Sequence, residues 1–395
     1  MRTLLFLLPL TLIAADWPQW RGPNRDGKSA ETGLLEKWPE GGPKSAWKAS
    51  GLGEGYASMT VAKGRIYTQG QRGEHQYVFA FDEATGKKLW EYENGDAYRE
   101  RRGDGPRGMP TVEGDRLWAM SANGNLACLD AGTGKKVWAM DVTKEFGASI
   151  PHWGYSESPL IDGDRVIVQP GGSGASVVAL NKTTGKTIWK SGGDPAHYSS
   201  AIVAQVGGVK QILALTARNA VGLRADNGEM LWKYANTNNR TANVATPVYK
   251  DGHVFYSSDY GTGCALLKLD GSGAKEVYFN QDMKNHHASS ILLGEHLYGF
   301  SSSILTAMKF QTGEVAWKDR AVGKGSVVYA DGMLYTFGEN GVMGLVEATP
   351  GAYKEVSRFS IQKGERPAWS HPVVANGRLY LRDQDTLYAY DIKAR

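Results

Sequence analysis

Cysteine is nearly absent from this chain: Cys128 and Cys264 are the only two in 395 residues. They fall in sequence repeats placed three positions apart, too far for a disulfide, so the fold cannot rest on a disulfide framework. Cys128, inside LACLD, reads as a small buried core residue. Excess charge is missing as well, since 45 Lys and Arg oppose 41 Asp and Glu. That balance gives no electrostatic case for nucleic acid, and the run Arg99-Glu100-Arg101-Arg102 is expected to be a solvated loop. Long apolar runs are confined to Leu4–Ile13. About ten apolar residues cannot span a bilayer. With Arg2 before it and Ala14-Ala15 after it, the run reads as a cleaved signal peptide over residues 1–15. No cysteine follows the cleavage point, so no lipid anchor is expected. The mature chain is expected to be an exported, soluble monomer of the periplasm or extracellular space. No phosphate loop, nucleophile–base pair or metal-ligand spacing is visible.

What the chain has in quantity is glycine (50), tyrosine (19) and tryptophan (12), a mixture suited to many short strands joined by tight turns. One stretch is rewritten along the sequence. Phe79–Trp90 (FAFDEATGKKLW) returns as Ala127–Trp138 (ACLDAGTGKKVW) and Ala179–Trp189 (ALNKTTGKTIW), with weaker copies ending at Trp232, Tyr278 and Trp317. Each copy predicts a strand, a turn on Thr-Gly and a second strand ending in a large aromatic. Gly86, Gly134 and Gly185 supply the positive φ of the turn, and Asp82 and Asp130 accept N–H bonds at its start. The aromatics Trp47, Trp90, Trp138, Trp189, Trp232, Tyr278 and Trp317 are expected to dock on the neighbouring repeat.

A second hairpin opens each repeat, as in Met59–Tyr67 (MTVAKGRIY), Pro110–Trp118 (PTVEGDRLW) and Pro372–Tyr380 (PVVANGRLY). Asp-Gly, Asn-Gly and Glu-Gly pairs mark its turn. Eight such openings occur, but the eighth repeat ends at LYAYD without a terminal Trp strand. An orphan strand near the start, KSAWKAS around Trp47, supplies the missing piece. About 43 residues and four strands per repeat is the period of a propeller blade. The expected fold is therefore all-β: an eight-bladed β-propeller over 44–395, of four-stranded antiparallel blades, with the last blade closed by an N-terminal strand. Residues 16–43 are read as an irregular segment lying on the body, with Trp17 and Trp20 packing and Arg21 or Arg25 as alternative ligand contacts.

The repeated A-F-D-x-x-T-G-x-x-x-W resembles the tryptophan-docking repeat of pyrroloquinoline quinone (PQQ)-like propellers, and WPQWRGPNRDG resembles the start of exported members. The resemblance covers nearly all of the chain after Lys44 and is weakest over Val342–Phe359. It implies one of two branches. Quinoprotein dehydrogenases hold PQQ and calcium in the central funnel; binding propellers without cofactor include the outer-membrane barrel-assembly protein. The chain has no adjacent cysteine pair, which many alcohol-oxidising members of the first branch carry, and no C-x-x-C-H haem run, which some of them carry. No aspartate matches the catalytic base of that branch.

Ligands of a propeller gather at its central channel. The loops before the opening strands all reach one face, and they carry Arg107, Tyr155, Glu157, His197, Asn243, His286, His287, Lys324, Trp369 and His371. Each also has a structural reading: Glu157 pairing with Arg107, and the aromatics wedging blades together. Adjacent His286 and His287, in an extended strand, would point to opposite faces, so at most one enters the channel and no metal site is expected. Three functions stay open. The first is a non-catalytic envelope propeller binding a protein or glycan. The others are a PQQ- and calcium-dependent oxidoreductase of alcohols or sugars, and a carbohydrate-binding or carbohydrate-active propeller.

Overall fold

A computed structural model describes residues 15–394; all but the last position of the expected signal peptide lies outside the described residues. The chain forms eight four-stranded antiparallel sheets. Blades 1 to 7 span 60–96, 111–141, 160–191, 202–234, 248–280, 291–319 and 325–360, each with its strands in sequence order from the centre outwards. Blade 8 takes three strands from 373–391 and its outermost one, β1 (Lys44–Ala49), from the other end of the chain. Lys44 pairs with Asp391 and Ala49 with Leu387, antiparallel. The only helix among the described residues is Val142–Phe146, capped by Asp141.

The turns follow from their side chains. Asp82 Oδ1 accepts from Thr85 N at 2.9 Å and from its hydroxyl at 2.6 Å, and Gly86 has φ of 72°. The terminal aromatics then reach the next blade. Trp47 Nε1 donates to Glu83 O at 3.0 Å, Trp90 Nε1 to Ala131 O at 3.2 Å and Trp138 Nε1 to Lys182 O at 3.0 Å. Trp189, Tyr278 and Trp317 repeat the bond to Ala225, Phe310 and Thr349. Trp232 differs. Its indole N–H stays within its own blade on Gln211 Oε1, and Gln211 Nε2 carries the link on to Gly271 O. Blade 5 needs this relay because its turn has a different glycine placement.

A feature without a sequence signal accompanies each aromatic. In the outer ladder of blade 1, Ala80 pairs with Trp90 and Phe81 with Lys88, so Leu89 is passed over. The same one-residue bulge passes over Val137, Ile188 and Val277. A bulge twists the outer strand and turns the aromatic onto the next blade, while pushing an apolar residue outwards. Leu89, Val137, Ile188 and Val277 are accordingly exposed. The bulges also disrupt the outer edges as templates for further pairing.

Residues 16–43 contain only isolated bridges, and they cross the ring on the side away from the opening loops. Trp17 pairs with Val61 of blade 1, Lys28 with Tyr329 of blade 7, and Leu34 with Lys393 after blade 8. Arg25 Nη2 donates to Ser158 O at 2.7 Å, and Arg21 Nη2 to Ser290 O at 2.6 Å. Both guanidiniums are thus buried against backbone carbonyls, which is the packing role and not the ligand contact. Trp38 fills the seam beside blade 7, against Tyr335 and Phe359. That blade has Ser357 where the others carry their aromatic, and Ser357 Oγ accepts from Trp38 N at 3.0 Å. Cys128 and Cys264 are free and buried, in blades 2 and 5.

Candidate functional site

The connections ahead of the innermost strands converge on one mouth, which encloses a cavity of ≈ 410 Å³. All eight blades reach it. Tyr56 comes ahead of blade 1, Arg102 and Arg107 ahead of blade 2, Trp153 and Ser156 ahead of blade 3, and Tyr198 ahead of blade 4. Thr241 and Ala242, His286 and His287, Lys324, and Trp369 with His371 follow for blades 5 to 8. The floor is Trp20 of the crossing segment, whose Nε1 donates to Thr246 Oγ1 at 2.8 Å and whose ring lies 4.6 Å from that of His371. The mouth is therefore a blind pocket and not a through-channel.

Of the residues named from sequence, Arg107, His286, His287, Lys324, Trp369 and His371 line the cavity. Tyr155, Glu157, His197 and Asn243 do not. Tyr155 is buried between blades 2 and 3, with its hydroxyl on Pro170 O at 2.8 Å. Glu157 lies beneath the mouth and accepts from Gln169 Nε2 at 3.1 Å. The expected Glu157–Arg107 pair does not form; the charge facing Glu157 is Arg25. His197 Nδ1 accepts from Asn243 N, and Asn243 in turn donates to Thr216 O at 2.9 Å. These two hold loops in place.

One further expectation is corrected. His286 and His287 both enter the cavity because residues 286–288 form a bend, not a strand, so the alternation of a strand does not apply. The charge run Arg99–Arg102 is the largely exposed loop expected, and Arg102 from it also reaches the rim. Tyr56 and Tyr260 also line the mouth, although the sequence did not single them out. Tyr56 precedes an opening strand, as the other lining residues do. Tyr260 sits in a turn within blade 5 at φ of 56°, and no repeat pattern marks it.

The electrostatics are one-sided. Three cations, Arg102, Arg107 and Lys324, line the mouth, and among the described residues no carboxylate or amide side chain does. Arg107 donates to Gly103 O at 2.6 Å and Gly105 O at 2.5 Å, and its guanidinium lies over Tyr56 and Tyr98. Lys324 Nζ lies 3.2 Å from His286 Nε2 and 5.3 Å from the centre of the Trp369 ring. Glu339, just behind the wall, accepts from Trp369 Nε1 at 2.9 Å and stands 3.8 Å from Lys324. Burial lowers His286 and His371 to about 4 and His287 well below the usual histidine range, so all three are neutral at pH 7. Both ring nitrogens of His287 are buried without a partner.

A PQQ–calcium pair would require oxygen ligands for the ion. The lining supplies none from a carboxylate or amide, and no group of three or more His, Cys, Asp or Glu among the described residues is placed to hold a metal. Glu157, the nearest acidic group beneath, is pushed up to about 7 by burial and committed to Gln169. The site does not fit that pair.

Comparison with known proteins places the fold. Tetrathionate hydrolase of Acidithiobacillus ferrooxidans is 21% identical over 96% of this chain and 83% of its own. Outer membrane protein assembly factor BamB of Shewanella oneidensis is 22% identical over 53% of this chain, and the match spans 55% of that protein. The crystal structure of quinohemoprotein alcohol dehydrogenase from Comamonas testosteroni superposes with a TM-score of 0.69 at 12% identity, covering 96% of this chain and 81% of that one. At such identity the likeness concerns the fold alone. The family model described as outer membrane protein assembly factor BamB matches residues 74–319, more than half of the sequence, and the chain belongs to that family of PQQ-repeat propellers.

Proposed function

We propose that this protein is an exported binding propeller of the cell envelope, which captures a ligand or partner at its mouth without transforming it. One observation carries the reading: the cavity is lined by aromatics, neutral histidines and cations, with no carboxylate or amide among them. Hydroxyl oxidation needs a base at the reacting atom, and a resident calcium needs hard oxygen ligands. The lining offers neither a carboxylate base nor such ligands. The apolar leader of the sequence supports export, as does the outer-membrane assembly role for which the BamB relative is named.

The carbohydrate reading draws on the same aromatic walls. Sugar hydroxyls are ordinarily held by paired acceptors and donors on Asp, Glu, Asn and Gln, and the absence of these from the lining weighs against it. The deciding experiment supplies the purified protein with PQQ, calcium and a panel of alcohols and sugars, and follows reduction of an artificial dye. No reduction above the protein-free control is expected. Calcium-dependent reduction would overturn the reading.

A further inference from the structure

The outer strands of blades 1 to 3 share a composition that the rest of the ring lacks. After the turn glycine they read KKLW from Gly86, KKVW from Gly134 and KTIWK from Gly185. The same stretch reads EMLW after Gly228 in blade 4 and EVAW after Gly313 in blade 6. The balanced total charge therefore hides a basic sector on one side of the ring. Lys87, Lys88, Lys135, Lys136, Lys186 and Lys190 are all exposed, and among the described residues only Lys88 meets a carboxylate, Glu91. The aspartates of these turns, Asp82 and Asp130, are taken up by Thr85 and Thr133. Leu89, Val137 and Ile188 stand 45%, 41% and 42% exposed beside the lysines. Apolar residues scattered singly on a surface need no cause, but these three recur at one position in adjacent blades. The bulge does not demand them, because it passes over Ala46 in blade 8 and Ala316 in blade 6. The equivalent Val277 of blade 5 follows Lys275-Glu276, which carry no net charge. Backbone bonds from Glu83 N to Gly64 O, Ala131 N to Asp115 O and Lys182 N to Asp164 O tie each turn to the opening hairpin of its blade. The sector thus lies on the outer rim, at the end opposite the mouth.

We infer that this rim docks on an anionic lipid bilayer, with the lysines on headgroup phosphates and Leu89, Val137 and Ile188 pressed into the interface. Lysines feel an anionic surface across a Debye length, ~8 Å at physiological salt, so a curved rim needs no continuous contact. The branched aliphatics among them supply the apolar part of an interfacial anchor. Adsorption is reversible and shallow, since among the described residues no helix is long and apolar enough to cross a membrane. The mouth then faces away from the bilayer and stays open to its own ligand. This inference goes beyond the reading of the mouth and does not depend on it.

The test is co-sedimentation of the whole mature chain with vesicles of phosphatidylglycerol and phosphatidylethanolamine, beside vesicles of phosphatidylcholine alone. Binding to the anionic vesicles that weakens as salt is raised, and none to the neutral ones, is expected. Lys87→Gln, Lys135→Gln and Lys136→Gln together should weaken binding about a hundredfold, at about fivefold for each lysine. Lys233→Gln, Lys268→Gln and Lys275→Gln remove the same charge from exposed positions on blades 4 and 5. That control should cost less than about threefold, because those lysines stand away from the surface. Leu89→Ser with Ile188→Ser should cost about tenfold and leave the salt dependence intact. An unchanged far-ultraviolet circular dichroism spectrum controls for folding. The proposal is overturned if neutral vesicles bind as well, if anionic vesicles fail to bind at low salt, or if the two lysine triples lose equally. Retention on poly-glutamate without vesicle binding would likewise overturn it, and would assign the sector to an acidic protein. Calcium-dependent dye reduction bears on the mouth alone.

Discussion

Arg382 of the last blade donates through Nη1 to Ala57 O, ahead of the first blade, at 2.9 Å. The same nitrogen reaches Thr68 Oγ1 at 3.0 Å and the carbonyl of Gln69, while Nε donates to Gln384 O at 2.9 Å. The residue is completely buried, and burial lowers its pKa to about 9. A cation sealed at the junction where the ring closes acts as a clamp made of backbone acceptors. The two chemistries of closure are therefore distinct: an outer strand exchanged between chain ends, and an inner guanidinium gripping carbonyls.

Replacing Arg382 by methionine keeps most of its volume but strands those carbonyls. A destabilisation of about 2–4 kcal/mol is expected, since each buried acceptor left unpaired costs about 1–3 kcal/mol. Urea unfolding of Arg382→Met against the parent measures it. An unchanged midpoint would show that the clamp contributes nothing.

Gly86→Ala tests the outer closure. Its φ is 72°, and an added Cβ would meet Trp47 Cε3 at 2.6 Å. Gly64→Ala is the control, with φ of 71° and nothing within 4 Å. Backbone strain of about 1 kcal/mol is common to both. The clash with the indole should add about 1–3 kcal/mol to Gly86→Ala alone. Thermal unfolding of the two variants side by side gives the difference, and equal losses would show that Trp47 does not press on this turn.

Glu157 makes stability depend on pH with a definite sign. Burial raises its folded pKa to about 7 from the ordinary 4.5. The unfolded chain therefore loses this proton first, and the contribution of Glu157 to stability falls as pH rises from about 4.5 to about 7. Glu157→Gln abolishes that loss. The variant should gain on the parent by about 3 kcal/mol between pH 4.5 and pH 8, at about 1.4 kcal/mol for each pH unit crossed in that window. Urea midpoints at pH 4.5, 6 and 8 measure the gain; a pH-independent difference would contradict it.

The histidines act with the opposite sign. Burial lowers His197, His286 and His371 to about 4. Between about pH 6.5 and 4 the unfolded chain binds protons that the folded one refuses, so stability is lost as pH falls through that window. Their number outweighs Glu157 there. Replacing His286 by glutamine should reduce the slope of stability against pH by about 1.4 kcal/mol per pH unit. A slope unaltered by the substitution would show that His286 titrates normally.

The propeller and its closure were legible because they depend on repetition. FAFDEATGKKLW and its copies announce turn, strand and aromatic, and the unmatched KSAWKAS announces where the ring ends meet. The bulge that passes over Leu89 was not legible, because an apolar residue beside Trp90 looks like any other strand position. Nor was the substitution of Trp38 for the missing aromatic of blade 7, which depends on a contact between residues 319 apart in sequence. At the mouth, the opening loops were found but not the direction of each side chain. Trp153 and Ser156 point into the cavity while their neighbours Tyr155 and Glu157 turn below it. Irregular loops lack the period that would assign a face, and the bend at His286-His287 is the plainest case.

The exchanged strand has a consequence for how the molecule comes into being. Lys44–Ala49 leaves the ribosome before every other strand of the ring, and its partner, Thr386–Asp391, after all of them. Until that partner arrives, β1 has no ladder and blade 1 has no Trp47 laid over its turn. The intermediate blades can form progressively, but the ring stays an open arc whose two raw ends wait for each other. Completion is thus an event of the whole chain, and a polypeptide stalled or cut anywhere before its last strand retains both ends as sites for misassembly.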